Sequence, residues 1–307
     1  MAGADLQSVM AEFEVFDDPR RFRDEIAELV DRDPVGATML SGVLAHQIAE
    51  PAPGAAPLFV CLRDTGGPFV AAMRMPDFPL LVVVDPEVRD LPGALGMLTG
   101  GVLDLGETVV GFHGRREVVR QLADAWSELT GARPTPRMWS LFYRLGGLVE
   151  PTGVPGSPLP LKPDDPAEVD LVAGWFARFR QETGVSRAAP VPDPDGLRRN
   201  VRRGERFILW GLDSDPIAIP VAVAGHSPLR ADGGVRIAPV YTPPDRRRQR
   251  FGAAVTAAAA HSAWAIGAQQ VTLFTDEGYL PSNELYRSLG FEPIAEFAEF
   301  DVPSVSP

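Results

Sequence analysis

The 307-residue chain has one cysteine, Cys61, and one lysine, Lys162. A single thiol excludes an internal disulfide and any cysteine-built metal site. No run of about eighteen or more apolar residues occurs, so the sequence offers no transmembrane helix. The first residues, MAGADLQSVMAEFEVFDD, are acidic and lack the positive segment and apolar core of a secretory signal. Cytoplasmic location, away from any membrane, is therefore the expectation. Positive charge is also short, with 29 Lys plus Arg against 41 Asp plus Glu and a net charge of −12. Nucleic-acid binding is dominated by phosphate neutralisation, so this balance argues against such a partner. It is compatible with a cationic amine substrate.

What remains is an ordinary globular composition. Hydrophobic residues make up 45% and charged residues 23%, and the length suits two domains. Residues 1–50 read as helical, from the apolar faces of 19–30 and 35–48. Strands are expected over 58–62, 69–74, 80–84, 108–112 and 138–145, with helices over 91–103 and 117–129. Gly93, Gly96 and Gly100 do not sit in the strand–GxGxxG–helix context of a nucleotide loop. The Gly- and Pro-rich segment GGLVEPTGVPGSPLP then reads as a linker. Beyond it, Asp165, Pro166 and Glu168 form a helix start with a capping box, and Gly184 ends that helix. A proline-rich loop over 188–194 and a short helix over 197–203 follow. Strands are expected over 206–210, 217–224, 237–242, 270–275 and 294–302, with a helix from Phe251 and another over 282–289 closed by Gly290. The two halves repeat an order of elements, not of residues.

Within the second half, PVYTPPDRRRQRFG (239–252) is the informative stretch. A strand must stop at Pro243-Pro244, because neither proline donates to a ladder. An alanine-rich helix starts near Phe251, and four arginines lie between. Free N–H groups, the positive end of a helix dipole and guanidinium groups converge there, which suits a phosphate. The same stretch also reads as a plain strand-to-helix turn with solvated arginines, one or two of which hold the turn.

Three pieces, in order, resemble the GNAT superfamily of acyl-CoA N-acyltransferases: VYTPP at a strand end, RRQRFGAA at a helix start, and SNELYRSLGFEPI at a later helix and strand. The second is similar to the family's Q/R-x-x-G-x-G/A, with Arg247 at the Q/R position, Gly252 at the last, and Arg250 where the first glycine belongs. The resemblance spans residues 236–300. It implies an α/β (α+β) fold with two GNAT-like mixed-sheet domains flanked by helices. A degenerate first copy would occupy 1–149, a linker 150–160 and a catalytic domain 161–307.

The resemblance further implies that acetyl-CoA is the co-substrate, without a metal. Val240, Tyr241 and Thr242 would align the pantetheine arm, with the Val240 N–H polarising the thioester carbonyl. The amides of Gln249, Arg250, Phe251, Gly252 and Ala253 would cradle the diphosphate, helped by Arg247 and Arg248. Asn283 would contact the coenzyme or cap its helix. Tyr286 would protonate the departing thiolate, or else be a packing tyrosine with a hydrogen-bonded tip. As base, His226 has a suitable ordinary pKa, Asp276 and Glu277 are carboxylate alternatives, and water is a fourth. His261 reads as structural. The implied activity is acetyl transfer to a primary amine of a small molecule or protein, by a monomer or homodimer. A catalytically impaired coenzyme-A-binding regulator is the alternative, and the charge argues against an aminoacyl-tRNA-dependent transferase.

Overall fold

The computed structural model describes residues 11–51, 54, 56–185, 193–214 and 218–303. Two compact units result: Met1–Trp139 with Ala295–Pro307, and Ser140–Ile294.

In the first unit the order is β1 (Glu12–Phe16), α1 (Pro19–Glu25), α2 (Ala27–Arg32), α3 (Thr38–Ala49), β2 (Leu58–Asp64), β3 (Gly67–Arg74), β4 (Leu80–Val84), α4 (Leu91–Asp104), β5 (Gly111–Arg115) and α5 (Arg116–Thr130). Strands β1 to β4 pair antiparallel in sequence, and β4 pairs β5 in parallel. Side chains alternate across the sheet, as the two-residue period requires. Leu58, Val60 and Leu62 of β2 pack in one cluster with α4 and α5, while Phe59 and Cys61 pack in another with α1 to α3. The Cys61 thiol is fully buried, and burial, aided by Glu14 and Glu25, pushes its pKa up to about 12. It is a packing group, not a nucleophile.

The second unit receives β6 (Thr135–Leu145) from the first, then β7 (Ser157–Pro160), α6 (Pro166–Thr183), α7 (Pro194–Arg202), β8 (Arg206–Leu212), β9 (Ile219–His226), β10 (Gly234–Tyr241), α8 (Phe251–Ala265), β11 (Gln270–Asp276), α9 (Leu280–Ser288) and the start of β12 (Phe291–Asp301). Strand order is β6-β11-β10-β9-β8-β7, antiparallel except for the β10–β11 pair. Helix α8 is enclosed almost all round because alanines let it lie close to the sheet; Ala253, Ala254, Ala257, Ala259, Ala260 and Ala263 are all buried. On the other face, α6 and α7 cover Phe207, Leu209, Val223 and Tyr241.

Several local expectations change. Residues 12–16 are a strand, and the helical segment from Pro19 is broken into α1 and α2 around Ile26. The alternation in Glu-Phe-Glu-Val-Phe is too short to stand out before β2 supplies a partner. The expected linker contains β7, whose prolines Pro158 and Pro160 are tolerated because it is an edge strand. Asp165 caps α6 through Ala167 N (2.9 Å), but Glu168 accepts from Lys162 N (2.9 Å), so the reciprocal half of the capping box is absent. Gly290 does end its helix region: at φ 90°, a Cβ there would lie 1.9 Å from the Gly147 oxygen. The proline-rich loop falls mostly outside the described residues, as does Ile217.

The units also differ from a linear division at 149 and 161. Within the second unit, β6 residues Ser140–Arg144 pair with β11, and in the first unit β12 residues Phe297–Asp301 pair with β5. The second unit thus begins with a strand of its own sheet before residue 149, and the first unit completes its sheet with a strand from the C-terminal end. Among the described residues no helix is long and apolar enough to cross a membrane.

Candidate functional site

The site begins with a pair of strands that part. β10 and β11 pair in parallel only over Gly234–Arg236 and Gln270–Thr272. Beyond Arg236, β10 keeps its partner on the other side, with Val240 opposite Ala224 and Tyr241 opposite Val223. A bulge lies between Ile237 and Val240, and the Ala238–Pro239 peptide is cis. Pro239 has no N–H to give a ladder, and the extra residue turns the strand. The β11-facing edge from Ile237 to Tyr241 is left as an open seam.

The turn after the seam presents main-chain donors. Arg248 and Arg250 both adopt left-handed backbone, φ 62° and 65°. Glycine tolerates that region best, so Arg250 holds the very shape a glycine would supply. Among the described residues, no acceptor meets the N–H groups of Arg248, Gln249, Arg250, Phe251, Gly252 or Ala253; the first satisfied amide is Ala254, bonded to Arg250 O at 3.1 Å. These donors sit on the positive end of α8.

The arginine side chains divide. Arg246 pairs with Asp245 at 3.3 Å, and Arg250 donates to Thr152 O at 3.0 Å. Arg247 donates through Nε to Thr242 O (3.0 Å) and through Nη2 to Glu182, so its side chain builds the turn. Arg248 is exposed and meets no protein group among the described residues. It is the one of the four with its cation uncommitted there.

Helix α9 closes on this turn. A Cβ at Gly252 would lie 3.2 Å from Leu285 Cδ1 and 3.4 Å from Thr242 Oγ1, so β10, α8 and α9 meet at that glycine. Next to Leu285, Tyr286 is 8% exposed and packs by its ring against Phe291 and Tyr143. Its hydroxyl bonds to no protein group among the described residues, and burial pushes its pKa well above the ordinary value. A packing tyrosine with a bonded tip is therefore not what stands here.

Asn283 is placed differently from the expectation. It is 1% exposed; Nδ2 donates to Asp276 O (2.9 Å), Tyr279 O (3.0 Å) and Glu277 O (3.2 Å), and Oδ1 accepts from Tyr143 (3.1 Å). It staples the β11–α9 connection from within the core; it does not cap α9, whose N-cap is Tyr279.

A family model described as the acetyltransferase (GNAT) family matches residues 175–291, the span that contains the seam, the turn and Tyr286. Residues 175–291 belong to the acetyltransferase (GNAT) family. No curated protein matches it significantly. Among solved structures it is similar to a tandem GNAT protein from the clavulanic acid biosynthesis pathway, at 14% identity, with 97% of this chain and all of that one covered and a TM-score of 0.63. An acetyltransferase of Colwellia psychrerythraea gives 11% identity, 95% and 100% coverage and a TM-score of 0.62. A GCN5-related N-acetyltransferase from Kribbella flavida gives 23%, 88%, 96% and 0.52. At such identities these likenesses establish the fold alone. The family match makes the chain an acyltransferase.

Within the GNAT domain, His226 pairs with Ile237, where the seam begins, but its ring is turned to α8. It is the last residue of β9, 1% exposed, with Nδ1 against Ser227 O (2.8 Å) and Nε2 against Ser262 Oγ (2.9 Å) on α8. Ser262 lies eleven residues along α8 from Phe251, about 16 Å by helix rise. Burial lowers the His226 pKa, so it is a neutral core histidine. The structure instead draws attention to Glu205, just before β8. Burial raises its pKa, against the opposing charges of Arg203 and Arg236 and a hydrogen bond with Asn200. Arg236 is the last β10 residue paired to β11, and its charge bears on Glu205, which associates Glu205 with the closed end of the seam. Nothing in GERF marks it in the sequence; its partners come from distant segments. His261 pairs with Glu150 on an exposed face of α8, as a structural reading expects.

The first unit offers a contrast at the same place in its element order. There Asp90 caps α4 and accepts from Gly93 N at 3.0 Å. A carboxylate thus meets an opening amide of α4, whereas those opening α8 meet no acceptor among the described residues.

Proposed function

We propose that the chain is an N-acetyltransferase that moves an acetyl group from acetyl-CoA to a primary amine of a small molecule or protein. The observation that carries this reading is the set of unmet amides from Arg248 to Ala253 at the mouth of the seam. Successive amides at a helix start with no protein acceptor among the described residues are open to an anion, and a diphosphate suits them by charge and by geometry. Arg248 adds its free cation. The open edge of β10 at Val240–Thr242 receives the amide-bearing pantetheine arm as a strand would be received, and the Val240 N–H polarises the carbonyl.

Tyr286 holds a proton for the departing sulfur. Its raised pKa keeps it protonated, the form an acid needs. Glu205 takes the proton from the incoming ammonium, because a carboxylate with a raised pKa is the better base near neutrality. The net charge of −12 favours a cationic amine and no nucleic-acid partner. The Asp90 cap leaves the first unit without a second diphosphate site, so one coenzyme binds per chain.

Calorimetry with coenzyme A, followed by thiol release from acetyl-CoA over an amine panel, tests the assignment. Binding with turnover supports it; binding with no turnover on any amine leaves a coenzyme-binding regulator; no binding removes both. The base is tested by pH–rate profiles. The raised Glu205 pKa makes the wild-type rate fall as pH drops through it. Glu205→Gln is expected to lower kcat/KM and abolish that acid limb, while His226→Gln keeps the limb in place. An unchanged profile in Glu205→Gln excludes Glu205 as base.

A further inference from the structure

Glu182, near the end of α6, lies outside the 239–252 stretch, yet it makes two side-chain hydrogen bonds to it. Its Oε1 accepts from the Tyr241 hydroxyl at 2.9 Å and its Oε2 from Arg247. Arg247 in turn holds Thr242 O and lies over the Tyr241 ring, with its guanidinium 5.8 Å from the centroid. Three elements, α6, the end of β10 and the arginine turn, are thus tied through one carboxylate. Burial, the hydrogen bond to Glu182 and its charge all raise the Tyr241 pKa, so Tyr241 stays a donor in this network.

We propose that Glu182 is a positioning residue that braces the coenzyme turn through Arg247, holding that guanidinium away from the diphosphate so that the main-chain amides receive it. This rests on the coenzyme assignment above. The turn that follows includes two non-glycine residues in left-handed backbone, which is held only where surrounding contacts over-determine it. Without the brace, the loop must be ordered when the coenzyme arrives, and affinity falls by that ordering cost. The opposite role, Arg247 as a direct phosphate ligand restrained by Glu182, makes the opposite prediction.

The test uses full-length Glu182→Ala, Arg247→Ala and the double variant. Coenzyme A affinity is read by calorimetry, with KM and kcat alongside. Each single variant is expected to weaken coenzyme A and raise the KM for acetyl-CoA by about fivefold to tenfold, with kcat little changed. The double variant should be no worse than either, because the two residues act as a unit. Unchanged or tighter binding in Glu182→Ala, with weaker binding in Arg247→Ala, overturns the proposal. Should Glu182→Ala fold poorly, Tyr241→Phe removes a single hydrogen bond of the brace: a raised KM at unchanged kcat supports the proposal, and an unchanged KM overturns it. Failure of the wild type to bind coenzyme A is a separate result and counts against the coenzyme assignment itself.

Discussion

Tyr286→Phe is expected to lower kcat by about 10²- to 10⁴-fold, the usual contribution of a positioned acid, while coenzyme A affinity stays at the wild-type level. The substitution removes one oxygen and leaves the ring in its contacts with Tyr143 and Phe291. The hydroxyl bonds to no protein group among the described residues, so its loss breaks no internal network. The pH dependence has a definite sign. Burial raises the Tyr286 pKa above its ordinary 10.0, so the acid stays protonated through neutral and mildly alkaline conditions. Any alkaline loss of rate there belongs to another group. Steady-state kinetics and calorimetry on both proteins decide it: equal kcat in the variant removes Tyr286 from the chemistry, and a large loss of coenzyme affinity with kcat intact makes it a binding residue.

The second large effect is expected from Arg250→Asp, which should weaken coenzyme A binding by about 100-fold or more. A carboxylate there competes for the amides, and each charge-assisted bond withheld from the diphosphate is worth about 1.5–3 kcal/mol. It also replaces a cation with an anion at the helix terminus. The first unit already displays this chemistry in the Asp90 cap of α4. Fold stability should hold or rise, because aspartate suits a helix N-terminus and tolerates left-handed backbone, although the Arg250–Thr152 bond is lost. Thermal melts separate the two effects. Arg250→Asn, neutral and similar in shape, should lose much less affinity. If Arg250→Asp binds as tightly as the wild type, the diphosphate does not sit on these amides.

Much of the GNAT domain was legible in the sequence. The strand stop at Pro243-Pro244, the helix from Phe251 and the glycine after α9 are written in residues that restrict their own backbone. Proline lacks a donor, alanine packs closely, and glycine alone fits φ 90° beside the Gly147 carbonyl. The arginine cluster was visible as a cluster, but the task of each member was not. Arg247 turns to Glu182, 65 residues away, and Arg250 to Thr152, 98 residues away.

The sequence by itself determined most of the helices and strands after residue 160 and the shape of the turn before α8, because those follow from local backbone chemistry. Only the tertiary structure decided which strand completes each sheet, that Asn283 is a staple, that His226 lies under α8, and that Glu205 is set against Arg203 and Arg236 and Glu182 against the turn. The physical reason is common to all four. Burial and partner choice depend on groups brought together across long sequence separations, and a side chain's role is set by what finally surrounds it.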